Sequence, residues 1–160
     1  MVHFEFKQEK ALNYASESGI DNQLWQFFQL HNEFQRLRES VQHGNPAELD
    51  PIQLRFDIFY SRIQSLATGE IEAAPLFQYT DLSKPLAPLL LYIHDGAKTL
   101  EKSPIATQDW QAFKQKTIAQ EPNINLLIQE ARTQVAKAVD DNRKKIRDWG
   151  ELRVILATLQ

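Results

Sequence analysis

One periodic run constrains this chain more than any other feature. Ile124, Ile128, Ala131, Val135, Ala138, Asn142, Ile146, Trp149, Leu152, Leu156 and Leu159 follow one another in steps of three or four. That spacing lines one face of an α-helix. Gly150 falls off the stripe, so it need not interrupt the helix. About 35 residues at 1.5 Å each make a rod of about 50 Å. A chain of 160 residues has the size of a single domain, and such a rod is long for it. One end of the helix is therefore expected to project or to pair with something. The ambiguous opening segment, residues 3–18, with Phe4, Ala11, Leu12 and Ala15, is one candidate for that pairing.

The remaining periodicity is helical too. Ile20, Leu24, Phe27, Leu30, Phe34, Leu37 and Val41 predict a helix capped at Asp21-Asn22 and stopped by His43-Gly44-Asn45-Pro46. Asp50 and Pro51 open a second helix, with Asp50 as N-cap and Pro51 first in the helix, and Gly69 closes it. Its stripe is Ile52, Phe56, Phe59, Ile63 and Leu66. Residues 70–82 read as a connection, with Leu76 and Phe77 tucked onto the bundle. A third helix starts at Asp81 or Ser83, carries Pro85 and Pro88 in or near its first turn, contains Gly96 and runs to about Lys102. Thr107 or Asp109 caps a short helix bearing Trp110, Phe113 and Ile118, and Pro122 ends it. No stretch alternates as a half-buried strand does. The expected fold is all-α: an antiparallel up-and-down bundle of four main helices plus a short one, in one domain spanning residues 1–160.

Composition narrows the function classes. Nine Phe, four Tyr and three Trp exclude a highly solvated disordered chain. A formal charge of -3 excludes a broadly basic nucleic-acid binder, and nucleic acid is not an expected partner. The absence of Cys excludes disulfides, thiol chemistry and thiolate zinc sites, without fixing a compartment. The longest apolar stretch, Leu86–Ile93, is interrupted by Pro88 and falls far short of the roughly 20 residues of a spanning helix. Residues 1–7 lack the pattern of a signal peptide.

Motifs for catalysis are missing. The five glycines are scattered, so no phosphate loop or dinucleotide fingerprint exists and no cofactor is implied. His3, His31, His43 and His94 show no i, i+4 pair, and no Glu-x-x-His occurs, so no metal is expected either. His31 and His94 could still approach each other in space. The basic run Arg143-Lys144-Lys145-Ile146-Arg147 reads as a solvated face, with an anionic membrane surface or a partner as the alternative.

The polar constellation of interest lies on the first two long helices. Gln29, Glu33 and Arg36 share a face, and Arg55 and Arg62 sit two turns apart on the next helix. Asp57 and Ser61 form an i, i+4 pair beside Tyr60. Arginine forks among aromatic residues can hold a carboxylate or phosphate bidentately. The competing structural reading is an internal ion pair, Glu33 or Asp57 with Arg62, that fixes helix register.

The segment Leu54-Arg55-Phe56-Asp57-Ile58-Phe59-Tyr60-Ser61-Arg62-Ile63-Gln64-Ser65-Leu66, closed by Gly69, resembles a helix of bacterial membrane-bound signalling proteins. These are sensor histidine kinases and GGDEF/EAL-type cyclic-di-GMP enzymes with an extracytoplasmic helical domain between two transmembrane helices. Leu24-Trp25-Gln26 through Glu33-Phe34-Gln35-Arg36-Leu37 is similar to the first helix of such domains. The resemblance implies a non-enzymatic periplasmic sensory domain, a homodimer, excised from a longer membrane protein. It would answer an unidentified small-molecule or protein signal and relay it through its terminal helices to a cytoplasmic output domain. It specifies no ligand residues. Arg55, Arg62, Glu33, Arg36, Asp57, Ser61 and Tyr60 are candidates from their own chemistry alone. Two other readings stand beside it: a soluble cytosolic helical adaptor that binds a protein partner, and a small helical enzyme with an unrecognised site.

Overall fold

Asp50 and Pro51 bring acid and fixed φ to a helix start, and five buried side chains, Ile52, Phe56, Phe59, Ile63 and Leu66, follow at helical spacing. The helix they build is α2 (Asp50–Thr68). The computed structural model describes residues 24–68 and 82–159. Among these residues, α1 (24–43) precedes α2, and α3 (Ser83–Leu100), α4 (Thr107–Ala119) and α5 (Glu121–Thr158) follow. All regular structure among them is helical, and the architecture is an antiparallel bundle of α1, α2, α3 and α5 with the short α4 added.

The antiparallel order is read from facing residues. Phe28 lies under Arg132 of α5, and Arg38, ten residues further along α1, pairs with Glu121, eleven residues back along α5. On the other side of α1, Phe34 meets Phe59 at 5.7 Å between ring centroids, and Gly44 lies against Ile52. Helices α3 and α4 run antiparallel as well, joined by Tyr92–Thr117 at one end and Lys102–Asp109 at the other.

Aromatic rings tie the layers together. Phe56 stands within 6.0–6.2 Å of Phe113, Tyr60 and Tyr92, so one ring of α2 contacts rings of three helices. Gly96 on α3 makes this possible. A Cβ there would lie 2.8 Å from Phe56 Cε2, 2.9 Å from Phe56 Cζ and 3.1 Å from Phe113 Cε2. Gly96 is the place where the ring approaches the backbone.

Several local expectations shift. The first residue of α2 is Asp50, and Gln53 N donates to Leu49 O, so Leu49 takes the cap position and Pro51 is second in the helix. The change is harmless, because the donor that proline lacks is among those unpaired in any first turn. Pro88 lies inside α3 rather than in its first turn. Ala106, in extended conformation, holds the position before α4, not Thr107 or Asp109, and Asp109 instead pairs with Lys102. Ile118 points outward, and Thr117 takes the buried place. Pro122 sits at the start of α5, which spans 38 residues without a break at Gly150. Asp21, Asn22, Gly69, residues 70–81 and the opening segment 3–18 with its expected pairing lie outside the described residues.

The long stripe divides in two. Ile124, Leu127, Ile128, Ala131 and Gln134 are buried in the bundle, and Val135 is partly buried against it. Beyond them Ile146, Trp149, Leu152, Leu156 and Leu159 are exposed rather than core. Helix α5 is therefore about one half core element and one half arm.

Candidate functional site

The residues singled out in the sequence separate into three places. Glu33 of α1 and Arg62 of α2 meet, with Nε 3.3 Å from Glu33 Oε2. Of the two partners considered for Arg62, it is Glu33 that faces it. Asp57 instead accepts a hydrogen bond from Gln53 Nε2 at 2.7 Å on the exposed side of α2. Tyr60 turns toward α3, edge-on to His94 at 6.0 Å, and Ser61 is exposed. Gln29 is half-buried on α1.

The Glu33–Arg62 pair is unequal. The carboxylate side chain is 11% exposed and the guanidinium 42%. Glu33 Oε2 is buried and accepts no hydrogen bond, so the contact with Arg62 is close but not aligned for donation. Burial lifts the Glu33 carboxyl above its ordinary range, and the charges of Arg62 and Arg36 offset that only in part. The cavity beside the pair, between Gln26, Phe27, Leu30, Arg62 and Leu66, has about 10 Å³, room for no more than one water. This pair can hold two helices in register. It has no space for a bound metabolite.

Space exists one turn away. Where α1 ends and α2 begins, an open groove of about 640 Å³ is lined by Arg36, Ser40, His43, Arg55, Glu39 and Glu48, among others. That lies within the usual range for small-molecule sites. Its floor is fixed by close packing: a Cβ on Gly44 would lie 2.3 Å from Ser40 O and 2.5 Å from Ile52 Cδ1. Arg36 and Arg55, both candidates from the sequence, thus line one groove, and Arg62 does not. His43, Ser40 and Glu48 joined no candidate site in the sequence. Their one signal was position, at the turn that brings two arginine-bearing helices together.

Two other buried polar groups escaped the sequence. Thr117 Oγ1 donates to Phe113 O at 2.8 Å, which makes Tyr92 the donor in the 2.7 Å Tyr92–Thr117 bond. Burial pushes the Tyr92 phenol well above its usual range, so it stays protonated. Gln134 is buried on α5. Among the described residues, no group of three or more His, Asp or Glu is placed to hold a metal ion, and no helix is long and apolar enough to cross a membrane.

No protein-family model, curated protein or solved structure matches this chain.

Proposed function

We propose that this chain is the extracytoplasmic sensory domain of a bacterial transmembrane signalling protein, without catalytic activity of its own. In this reading the α1–α2 groove receives a small molecule with an anionic group. Arg36 and Arg55 would take the anion, and Glu39 and Glu48 leave room for a ligand that also carries positive charge.

One observation supports this reading above the others: the groove is mechanically joined to a long lever. Arg36 lies two residues from Arg38, which pairs with Glu121 in the first turn of α5. A ligand that draws Arg36 toward Arg55 displaces α1 at the point where it is pinned to the root of a 38-residue helix. About 57 Å of helix then carries a small tilt at the root to a larger displacement at the tip. The ligand need only favour one of two packings of α1 against α5 to shift their populations. Residues 24–37 and 54–66, which resemble helices of such sensory domains, supply Arg36 and Arg55, one at each side of the groove.

A thermal-shift screen of small carboxylic, phosphorylated and amino acids tests the reading. The expected result is a hit that Arg55→Ala abolishes and that a surface control, Lys137→Ala, leaves unchanged. Equal responses in both variants would remove the groove from consideration. The cellular half of the proposal is tested on the natural reading frame: apolar runs of about 20 residues on both sides of these residues are expected. Their absence would favour the cytosolic adaptor.

A further inference from the structure

We propose that the distal part of α5 is a parallel dimerisation seam whose occupant is the same face of a second copy of this chain. Trp149, Leu152, Leu156 and Leu159 follow in steps of three, four and three, with fractional exposures from 53% for Leu152 to 79% for Leu159. This is the a and d spacing of a coiled coil, in which the partner must be a helix with the same repeat. Ile155, 57% exposed, widens the face.

The face lies beyond the packed part of the helix: Trp149 is three heptads past the buried Ile128 and is 61% exposed.

Charge selects the orientation. With Trp149 and Leu156 at a, Asp148 takes the preceding g position and Arg153 the following e position. In a parallel pair, g of one helix meets e of the next heptad of the other, so Asp148 faces the second copy's Arg153 twice by symmetry. An antiparallel pair sets g against g and loses this match. The five large apolar side chains present about 500 Å² per copy, so the pair covers about 1,000 Å², the lower size of a specific interface. The sensory reading already implies a homodimer; the proposal rests on it for the pairing and on exposure and spacing in α5 for the seam and its direction, and the groove's ligand screen tests that reading separately.

The test uses the full chain, free of lipid, by sedimentation equilibrium up to about 100 µM. A dimer is expected, and the double variant Leu152→Glu, Leu156→Glu is expected to raise the dissociation constant at least about tenfold with helix content and thermal midpoint kept. Asp148→Arg should weaken the dimer, and adding Arg153→Asp should restore it. Because the chain has no Cys, Leu159→Cys reports orientation alone: oxidation should link two copies at equal positions. A wild-type monomer at the highest concentration overturns the proposal, as does a dimer indifferent to the double variant, or one that Leu159→Cys fails to link. A monomer that binds vesicles of phosphatidylcholine and phosphatidylglycerol through Trp149 would also overturn it, assigning the face to lipid.

Discussion

Adding one methyl group to Gly96 or to Gly150 should move stability in opposite directions. Both glycines lie inside helices, so alanine at either gains about 1 kcal/mol of helix propensity. At Gly150 nothing else changes, because no atom lies within 4 Å of the new Cβ. At Gly96 the methyl meets two ring carbons of Phe56 at 2.8 and 2.9 Å and a third, from Phe113, at 3.1 Å. Those atoms are the far ends of side chains, which in a loose region would swing aside. Here they cannot do so cheaply. Phe56 is held by Tyr60, Tyr92 and Phe113 at 6.0–6.2 Å, and Phe113 in turn by Trp110 at 5.8 Å. Overpacking a filled core costs about 1–3 kcal/mol, and this site belongs at the upper end. Gly96→Ala should therefore destabilise by about 2 kcal/mol net, and Gly150→Ala should stabilise by about 1 kcal/mol.

Urea unfolding followed by far-ultraviolet circular dichroism measures both. The midpoints should separate on either side of wild type with an unchanged slope. The corresponding gap in melting temperature is about 6–12 °C for a chain of this size. A Gly96→Ala protein as stable as wild type would refute the reasoning, since the aromatic cluster would then yield to a methyl group. An unchanged or lower stability for Gly150→Ala would show that this part of α5 is not helical in solution.

Other predictions follow from the polar interior. The Glu33 carboxyl binds a proton more tightly folded than unfolded, so the native state holds more protons just above the ordinary carboxylate range. Stability should fall as pH rises through that window and stay lowered above it. Glu33→Gln should flatten that part of the stability–pH curve in urea titrations, with its greatest relative benefit at neutral pH; an unchanged slope would mean another group titrates there. Thr117→Val strands the Tyr92 hydroxyl, whereas Tyr92→Phe leaves Thr117 donating to Phe113 O. The first should cost about 1–3 kcal/mol and the second about 1 kcal/mol in thermal unfolding, and the reverse order would invert the donor assignment. Arg38→Ala, by contrast, should cost less than about 1 kcal/mol, because both partners of that pair are about one-third exposed.

How far the fold was legible depended on what each signal averages over. The stripe of α2 was readable residue by residue, because five apolar side chains at one spacing can face only one way. Helix starts were less so. Asp50 and Thr107 are good capping types, but the helices begin one residue away from those roles, with Leu49 and Ala106 accepting the first helical hydrogen bonds. Gly96 could not be understood from α3 alone, because its reason is a ring on α2. The candidate site had the same limit. Helical spacing put Arg36 with Glu33 and Arg55 with Arg62, each on its own helix. Charge chemistry offered Glu33 or Asp57 for Arg62, and Glu33 is the one that faces it; spacing could not say that Arg36 and Arg55 line one groove, because that depends on where the turn at Gly44 sets one helix against the other.

The long stripe shows why periodicity alone does not mark a core. Ile128 and Leu156 belong to one unbroken pattern, yet the first is 7% exposed and the second 59%. Spacing reports that a helix has an apolar face; it does not report what lies against it. Among the described residues, the other helices cover α5 only toward its root, since Phe28 near the described start of α1 reaches Arg132 and the short α4 spans thirteen residues. The pattern was therefore correct about the helix and silent about the partner. An apolar repeat that outlasts the elements of its own bundle is a reason to look for another helix, and Asp148 and Arg153 flank it with the charges that a parallel copy would need.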